Sequence, residues 1–143
     1  MEQRVGYLLK KVQGGLRAEM DRALSERGLT TPQYAALTAL ERRAGASNAE
    51  LARMSFVTPQ TMIRVLQNLE DAGLIERTPH PSHGRVLQVR LTGSGRRLVA
   101  TCHAVVDEIE ARMLSPLSER QRDELARLLA RCAEGLGLDG SSA

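Results

Sequence analysis

Apolar residues recur at three- and four-residue steps over most of the chain, which is the spacing of one face of an α-helix. The first such stretch predicts a long helix from near Glu2 to Arg27, ended by Gly28. Gly14 and Gly15 lie inside it and each costs about 1 kcal/mol relative to Ala. They indicate either a close helix approach or a kink.

Helix-start signals then follow in quick succession. A Thr before a Pro supplies a capping oxygen and a preset first turn, and a Ser followed three residues later by Glu or Gln forms a capping box. These signals predict a second helix capped by Thr31, with Pro32, to about Arg43, a third from Asn48 to about Ser55 capped by Ser47 with Glu50, and a fourth capped by Thr58, opened by Pro59 and ended by Gly73.

The fourth helix has two distinct faces. Helical spacing places its apolar residues on one side, toward the core, and its amide, hydroxyl and guanidinium groups on the other. The apolar set is Met62, Val65, Leu66 and Leu69, and the outer set is Gln60, Thr61, Arg64, Gln67 and Asn68.

Strand-like segments replace the helical pattern after Gly73. Residues 74–78 and 85–91 alternate as short strands do, and the PHPSHG loop between them cannot be helical, so the pair predicts a β-hairpin. Thr92 then caps a long helix, and Ser118 with Gln121 opens a last one. The predicted fold is mainly α with a small β-hairpin wing.

Composition supports one compact, mostly helical domain. The chain has 143 residues, 42% hydrophobic but only 2% aromatic, so the core must be built mainly from Leu, Ala, Val and Met. No apolar run is long enough to cross a bilayer, and the N-terminal residues lack the features of a signal peptide. We therefore expect a soluble, cytoplasmic protein.

Charge is distributed unevenly. Residues 1–57 carry nine Lys or Arg against six acids, residues 58–106 carry six Arg against three acids, and residues 107–143 carry five Arg against eight acids. A basic front and middle with an acidic tail suits an anionic partner that the tail does not touch.

Two short helices with a tight break, followed by a hairpin, predict a winged helix-turn-helix, in which the second helix enters the DNA major groove. That groove is about 12 Å wide and admits a helix, and side chains such as Gln60, Thr61 and Arg64 can bond base edges there. A polar outer face is also common on ordinary solvated helices. The hairpin and its arginines favour DNA.

At this point the chain resembles the MarR family of bacterial transcription regulators. Four segments carry the resemblance in the family's order and spacing. They are Leu29-Thr30-Thr31-Pro32-Gln33, Glu50-Leu51-Ala52, the stretch LEDAGLIER at 69–77, and Val89-Arg90-Leu91-Thr92.

The resemblance implies a winged helix-turn-helix at 30–92 and a helical dimerisation part at 1–29 and 93–143. It also implies a homodimer that binds a near-palindromic operator in double-stranded DNA, most often as a repressor released by a small, often phenolic ligand or by oxidation. No cofactor is expected. The residues expected to contact DNA are Ser47, Thr58, Gln60, Thr61, Arg64, Asn68, Arg77, His83 and Arg85.

The wing departs from the family pattern. Where the family has Asp-x-Arg, this chain has His83-Gly84-Arg85, so Arg85 lacks its acidic partner. An Arg still binds a narrow, electronegative minor groove without that acid, so we expect a looser wing. Protonation of His80 and His83 predicts that DNA affinity rises as pH falls.

Four other functions are less well supported. His80, His83 and Cys102-His103 contain zinc-ligand types but no complete set, so solvated histidines are favoured over a metal site. Cys102 and Cys132 are expected to be buried thiols without a disulfide, with a redox switch as the alternative. No catalytic motif is present, which argues against an enzyme. A winged helix used for protein contacts remains an alternative.

Overall fold

The computed structural model describes residues 4–79, 81–82 and 87–138, and this part of the chain contains six helices and one hairpin. The mainly helical fold with a β-hairpin wing is therefore confirmed. In order, the elements are α1 (Val5–Ser25), α2 (Thr31–Arg42), α3 (Asn48–Met54), α4 (Pro59–Asp71), β1 (Ile75–Pro79), β2 (Leu87–Leu91), α5 (Gly93–Leu114) and α6 (Glu119–Gly135).

The predicted caps form almost everywhere. At α3, the Glu50 N–H donates to Ser47 Oγ at 3.2 Å and the Ser47 N–H donates to Glu50 Oε1 at 3.1 Å. Thr58 accepts from the Thr61 N–H at 3.1 Å, and Thr92 caps α5 in the same way. These local bonds satisfy backbone donors that the first helical turn leaves unpaired.

The start of α2 corrects one prediction. Thr30, not Thr31, is the cap: the Gln33 N–H donates to Thr30 Oγ1 at 3.2 Å, and the Thr30 N–H donates to Gln33 Oε1 at 2.9 Å. The reciprocal bond selects the Thr that lies three residues before Gln33. Thr31 is the first helical residue, and its hydroxyl donates to Asp21 of α1.

Two other expectations change in detail. A Cβ added at Gly14 or Gly15 would meet nothing within 4 Å, so neither glycine marks a close helix approach within the described chain. The first strand runs one residue later than predicted, because Leu74 is still bonded to the end of α4 through its N–H to Leu69 O at 2.9 Å.

The hairpin is antiparallel, with Ile75 opposite Leu91 and Pro79 opposite Leu87. Ile75 and Val89 turn inward, and α2, α3 and α4 pack together beneath them. We call α2, α3, α4 and the hairpin the head, and α1, α5 and α6 the stem. The two share one core, because Leu24 of α1 and Val99 and Cys102 of α5 join the head's buried residues.

Gly95 allows the head and stem to meet closely. A Cβ at this position would lie 2.1 Å from the carbonyl oxygen of Leu74, so any larger residue would force the backbone apart. The adjacent Thr92 hydroxyl donates to Gly73 O at 2.7 Å. The first turn of α5 is thereby attached to the segment that leaves α4.

Candidate nucleic-acid interface

The outer face of α4 is as polar as the sequence predicts. All four of its inward apolar residues are buried, and Gln60, Thr61, Arg64, Gln67 and Asn68 are exposed. Gln67 donates to Asp71 at 3.0 Å, which holds one amide along the helix. The helix therefore offers hydroxyl, amide and guanidinium groups on one continuous surface, the groups that read base edges.

Ser47 and Thr58 lie at the starts of α3 and α4 and have capping roles. Thr58 also donates to Thr61 Oγ1 at 3.0 Å, so both of its hydrogen-bonding functions are used within the turn. Asn48 donates to Pro59 O at 3.3 Å and fastens the start of α3 to the start of α4. These bonds fix the angle between the two helices.

Arg77 is less available than the sequence suggests. Its side chain on β1 is only 19% exposed, and Nε lies 3.2 Å from Glu70 Oε1 in an ion pair that lacks hydrogen-bond alignment. Arg77 lines a hollow of about 360 Å³ together with Ser47 and Leu87. A DNA contact by Arg77 therefore stays a prediction. In the structure, its ion pair with Glu70 joins β1 of the wing to α4.

The other wing residues expected at DNA, His83 and Arg85, lie outside the described residues, as does His80. Both strands that carry the wing are described. Arg90 on β2 is exposed and donates to Gln88 at 3.5 Å, a long bond.

The sequence reasoning missed two residues near the recognition helix. Arg17 and Asp21 of α1 border the same hollow of about 410 Å³ as Thr61, Arg64 and Asn68. Arg17 Nε donates to Asp21 Oδ1 at 3.1 Å, and the Thr31 hydroxyl, followed by Arg17, holds the pKa of Asp21 below its ordinary value. The spacing of Arg17 and Asp21, four positions apart, could be seen in the sequence. Because α1 was expected to serve only in dimerisation, a position beside α4 was not predicted for it.

The stem presents uncovered apolar side chains. The described α6 has no buried residue, although its spacing is strongly amphipathic. Exposed apolar residues on α1, α5 and α6 and just beyond are Val5, Tyr7, Leu9, Val12, Met113, Leu125, Leu128, Leu129, Leu136 and Leu138. Clustered exposed apolar residues are typical of an interface.

The two cysteines differ in their exposure to solvent. Cys102 is buried as expected, and its burial raises the pKa of the thiol, which makes it a poor nucleophile. Cys132 is exposed, which corrects the expectation of two buried thiols, because α6 has nothing packed over it in a single chain. Neither cysteine forms a disulfide.

Among the described residues, no group of His, Cys, Asp and Glu is arranged to hold a metal ion. His103, one candidate ligand, is instead bonded to Tyr34 and Glu41. A search of the same residues finds no helix long and apolar enough to span a membrane.

Two short helices, a tight turn, a polar recognition face and a hairpin define a winged helix-turn-helix on a helical stem. A model of the MarR family matches residues 27–86. The chain is 45% identical over 135 residues to the HTH-type transcriptional repressor Rv2887 of Mycobacterium tuberculosis, covering 94% of each chain. It therefore belongs to the MarR family, as the sequence resemblance indicates.

Solved structures agree. The complex of Rv2887 with salicylic acid superposes with a TM-score of 0.76 at 44% identity, covering 92% of this chain and 97% of that one. The complex of Rv2887 with DNA gives a TM-score of 0.76 at 40% identity, covering 92% and 98%. The Staphylococcus aureus MepR–DNA complex gives 0.82 at 26% identity, covering 94% and 99%.

Proposed function

We infer that this protein is a sequence-specific, double-stranded DNA-binding transcription regulator that acts as a repressor. The polar face of α4, carried on a winged helix whose relatives are named as transcriptional repressors, is the observation that supports this function. Arg64, Thr61 and Gln60 would meet base edges, and Asn68, Ser47 and Thr58 would lie near the phosphates. His83 and Arg85 would extend the contact from the wing.

The active unit is a homodimer. Two recognition helices must lie about 34–36 Å apart to read successive major grooves, and one chain supplies only one of them. The exposed leucines of α6 and the apolar residues of α1 provide the surface that a second copy would cover. The acidic C-terminal part of the chain would then lie away from DNA.

A small aromatic acid is the effector class that the comparisons favour, since Rv2887 was solved with salicylic acid and with p-aminosalicylic acid. A hollow of about 230 Å³ lies between α1, α2 and the α3–α4 turn, and Met20, Met54, Phe56 and Arg42 are among the residues that line it. A benzene ring enters an apolar cavity of about 150 Å³, so this hollow has room for one ring. A carboxylate there would pair with Arg42.

Binding to the DNA upstream of the protein's own gene tests this function. Purified protein is titrated against that DNA across several salt concentrations, with scrambled DNA of the same length as competitor. Tight binding confined to a near-palindrome, falling steeply with salt, is expected. Weak binding that ignores both sequence and salt would contradict DNA regulation and favour a protein-binding wing.

The effector is tested on the same complex. Salicylate should release wild-type protein from the operator, while Arg42→Ala should need more salicylate for the same release and Arg43→Ala should not. Equal release of all three proteins would remove Arg42 from the effector site.

A further inference from the structure

His103 joins the stem to the head. It lies on α5, and its ring contacts two side chains of α2 that are two helical turns apart. The Tyr34 hydroxyl oxygen is 2.5 Å from Nδ1, and Glu41 Oε1 is 2.5 Å from Nε2. The Tyr34 and His103 rings also meet edge to face, with centroids 5.4 Å apart. Both polar atoms of the imidazole are therefore committed to the head.

The partners determine where the protons lie in the neutral form. A carboxylate only accepts hydrogen bonds, so Nε2 carries the hydrogen that is donated to Glu41. Burial raises the pKa of the Tyr34 phenol, so its hydroxyl keeps its proton and donates to Nδ1. In this arrangement each of the three groups has the partner that it needs.

A second arrangement suits protonated His103. Both ring nitrogens then donate, and the Tyr34 oxygen becomes an acceptor whose own proton must go elsewhere. Thr38 lies beside that hydroxyl, and its Oγ1 is buried. Thr38 Oγ1 can accept a hydrogen bond from the Tyr34 hydroxyl, so protonation of His103 leaves the contact intact and adds charge to the bond with Glu41.

Charged and titratable groups lie around this contact. Asp107, one turn further along α5, and Glu41 are the acids that face the Tyr34 ring. Cys102 stays a neutral thiol because its burial raises its pKa, and Arg27 is the cation that faces it. Of these groups, Glu41 contacts the imidazole directly.

We propose that His103 is a positioning residue for DNA binding, which holds α2 at the angle to the stem that the operator requires, and holds it more firmly when protonated. The proposal rests on the DNA-binding function inferred above. Because α2 packs against both α3 and α4, fixing α2 also fixes the recognition helix. An imidazole is the side chain that ordinarily changes charge between about pH 5 and 8, and this range sets the pH values of the test.

The chain offers a clean background for the test. It has three histidines, and two of them, His80 and His83, are in the wing. The double variant His80→Gln/His83→Gln retains His103 as its only histidine. Operator affinity of this background is measured at pH 7.5 and 6.0 at fixed salt, and compared with the same background carrying His103→Gln.

Affinity of the background should rise by about three- to tenfold on acidification, the size of a charge-assisted hydrogen bond. Addition of His103→Gln should weaken binding at pH 6.0 and abolish most of the rise. An equal rise with and without His103, or tighter binding after its removal, would overturn the proposal. Failure of the wild type to bind any operator would instead reject the underlying DNA-binding function.

Two conservative substitutions on α2 provide a second test of the same contact if His103→Gln disturbs folding. Tyr34→Phe removes one hydroxyl and Glu41→Gln removes one charge, and each loses a different partner of the same ring. Because both act through His103, their effects on affinity should be non-additive. Glu108→Gln, an exposed position on α5, is the control and should leave affinity unchanged. Fully additive effects of the two α2 substitutions would contradict a common route through His103.

Discussion

The head and the stem of this protein differ in how far a single chain buries their apolar side chains. In the head, three short helices and a hairpin bury a compact set of leucines, including Leu37, Leu51 and Leu66, at 0% exposure. In the stem, α6 buries nothing, and Leu128 and Leu129 remain 42% and 41% exposed. The head's apolar residues are therefore covered within one chain, whereas the stem leaves an apolar surface that a second chain would cover in the proposed homodimer.

Disrupting the exposed apolar surface of the stem should have the largest effect on operator binding. Leu128→Glu with Leu129→Glu places charges on the uncovered face of α6 and should convert the dimer to a monomer, measured by sedimentation. Loss of the second half-site should weaken operator binding by about 100-fold or more, because linked binding adds about 10²–10⁴.

A matched charge control lies on the same helix. Arg127→Glu with Arg131→Glu should leave the protein dimeric if the apolar residues form the interface. A dimer that survives Leu128→Glu with Leu129→Glu would show that the two chains meet elsewhere.

A substitution in the core of the head should lower the free energy of unfolding. Leu66→Ala removes a fully buried side chain of α4 and should lower the free energy of unfolding by about 2–5 kcal/mol, measured by denaturant titration. Ile63→Ala, one turn away at 56% exposure, should change it by less than about 1 kcal/mol. Similar losses for both would mean that α4 packs differently.

Removing one contact from the recognition face should have an intermediate effect confined to specificity. Arg64→Ala should weaken operator binding by about 1–3 kcal/mol if Arg64 makes a good base contact, while binding to scrambled DNA changes little. Folding should be unaffected, because Arg64 is exposed. An equal loss on both DNAs would assign Arg64 to the phosphate backbone.

The smallest expected effect concerns acid stability of the head. Bonds from Ser47, above all its backbone N–H, hold the pKa of Glu50 below its ordinary value. A carboxyl group whose pKa is lower in the folded state stabilises the protein above its unfolded pKa, and that contribution is lost as pH falls through the folded value.

Thermal unfolding of wild-type protein should therefore show an additional loss below about pH 4.5 that Glu50→Gln reduces. Glu124→Gln on α6 serves as the control. Identical acid profiles for wild type and Glu50→Gln would deny Glu50 this role.

The sequence predicted what local bonds determine. Ser47 with Glu50 and Thr58 with Pro59 each act within one turn, so the starts of α3 and α4 could be found from spacing alone. Choosing Thr31 over Thr30 was an error of the same local kind, since Gln33 lies three residues after Thr30 and marks the true cap.

Contacts between distant residues could not be predicted in that way. Tyr34 and His103 are 69 positions apart, and no periodicity relates one to the other. The position of Arg17 beside α4 was not predicted, because α1 was expected to serve only in dimerisation. Phe56 has a positive φ of 57° in the α3–α4 turn, a conformation that its residue type gives no reason to expect.

Gly95 has a mechanical consequence. Because its Cα lies against the Leu74 carbonyl with no room for a side chain, the first turn of α5 and the exit of the recognition helix form a single rigid lever. Any change in the angle between head and stem would therefore have to carry the first turn of α5 along with the exit of the recognition helix.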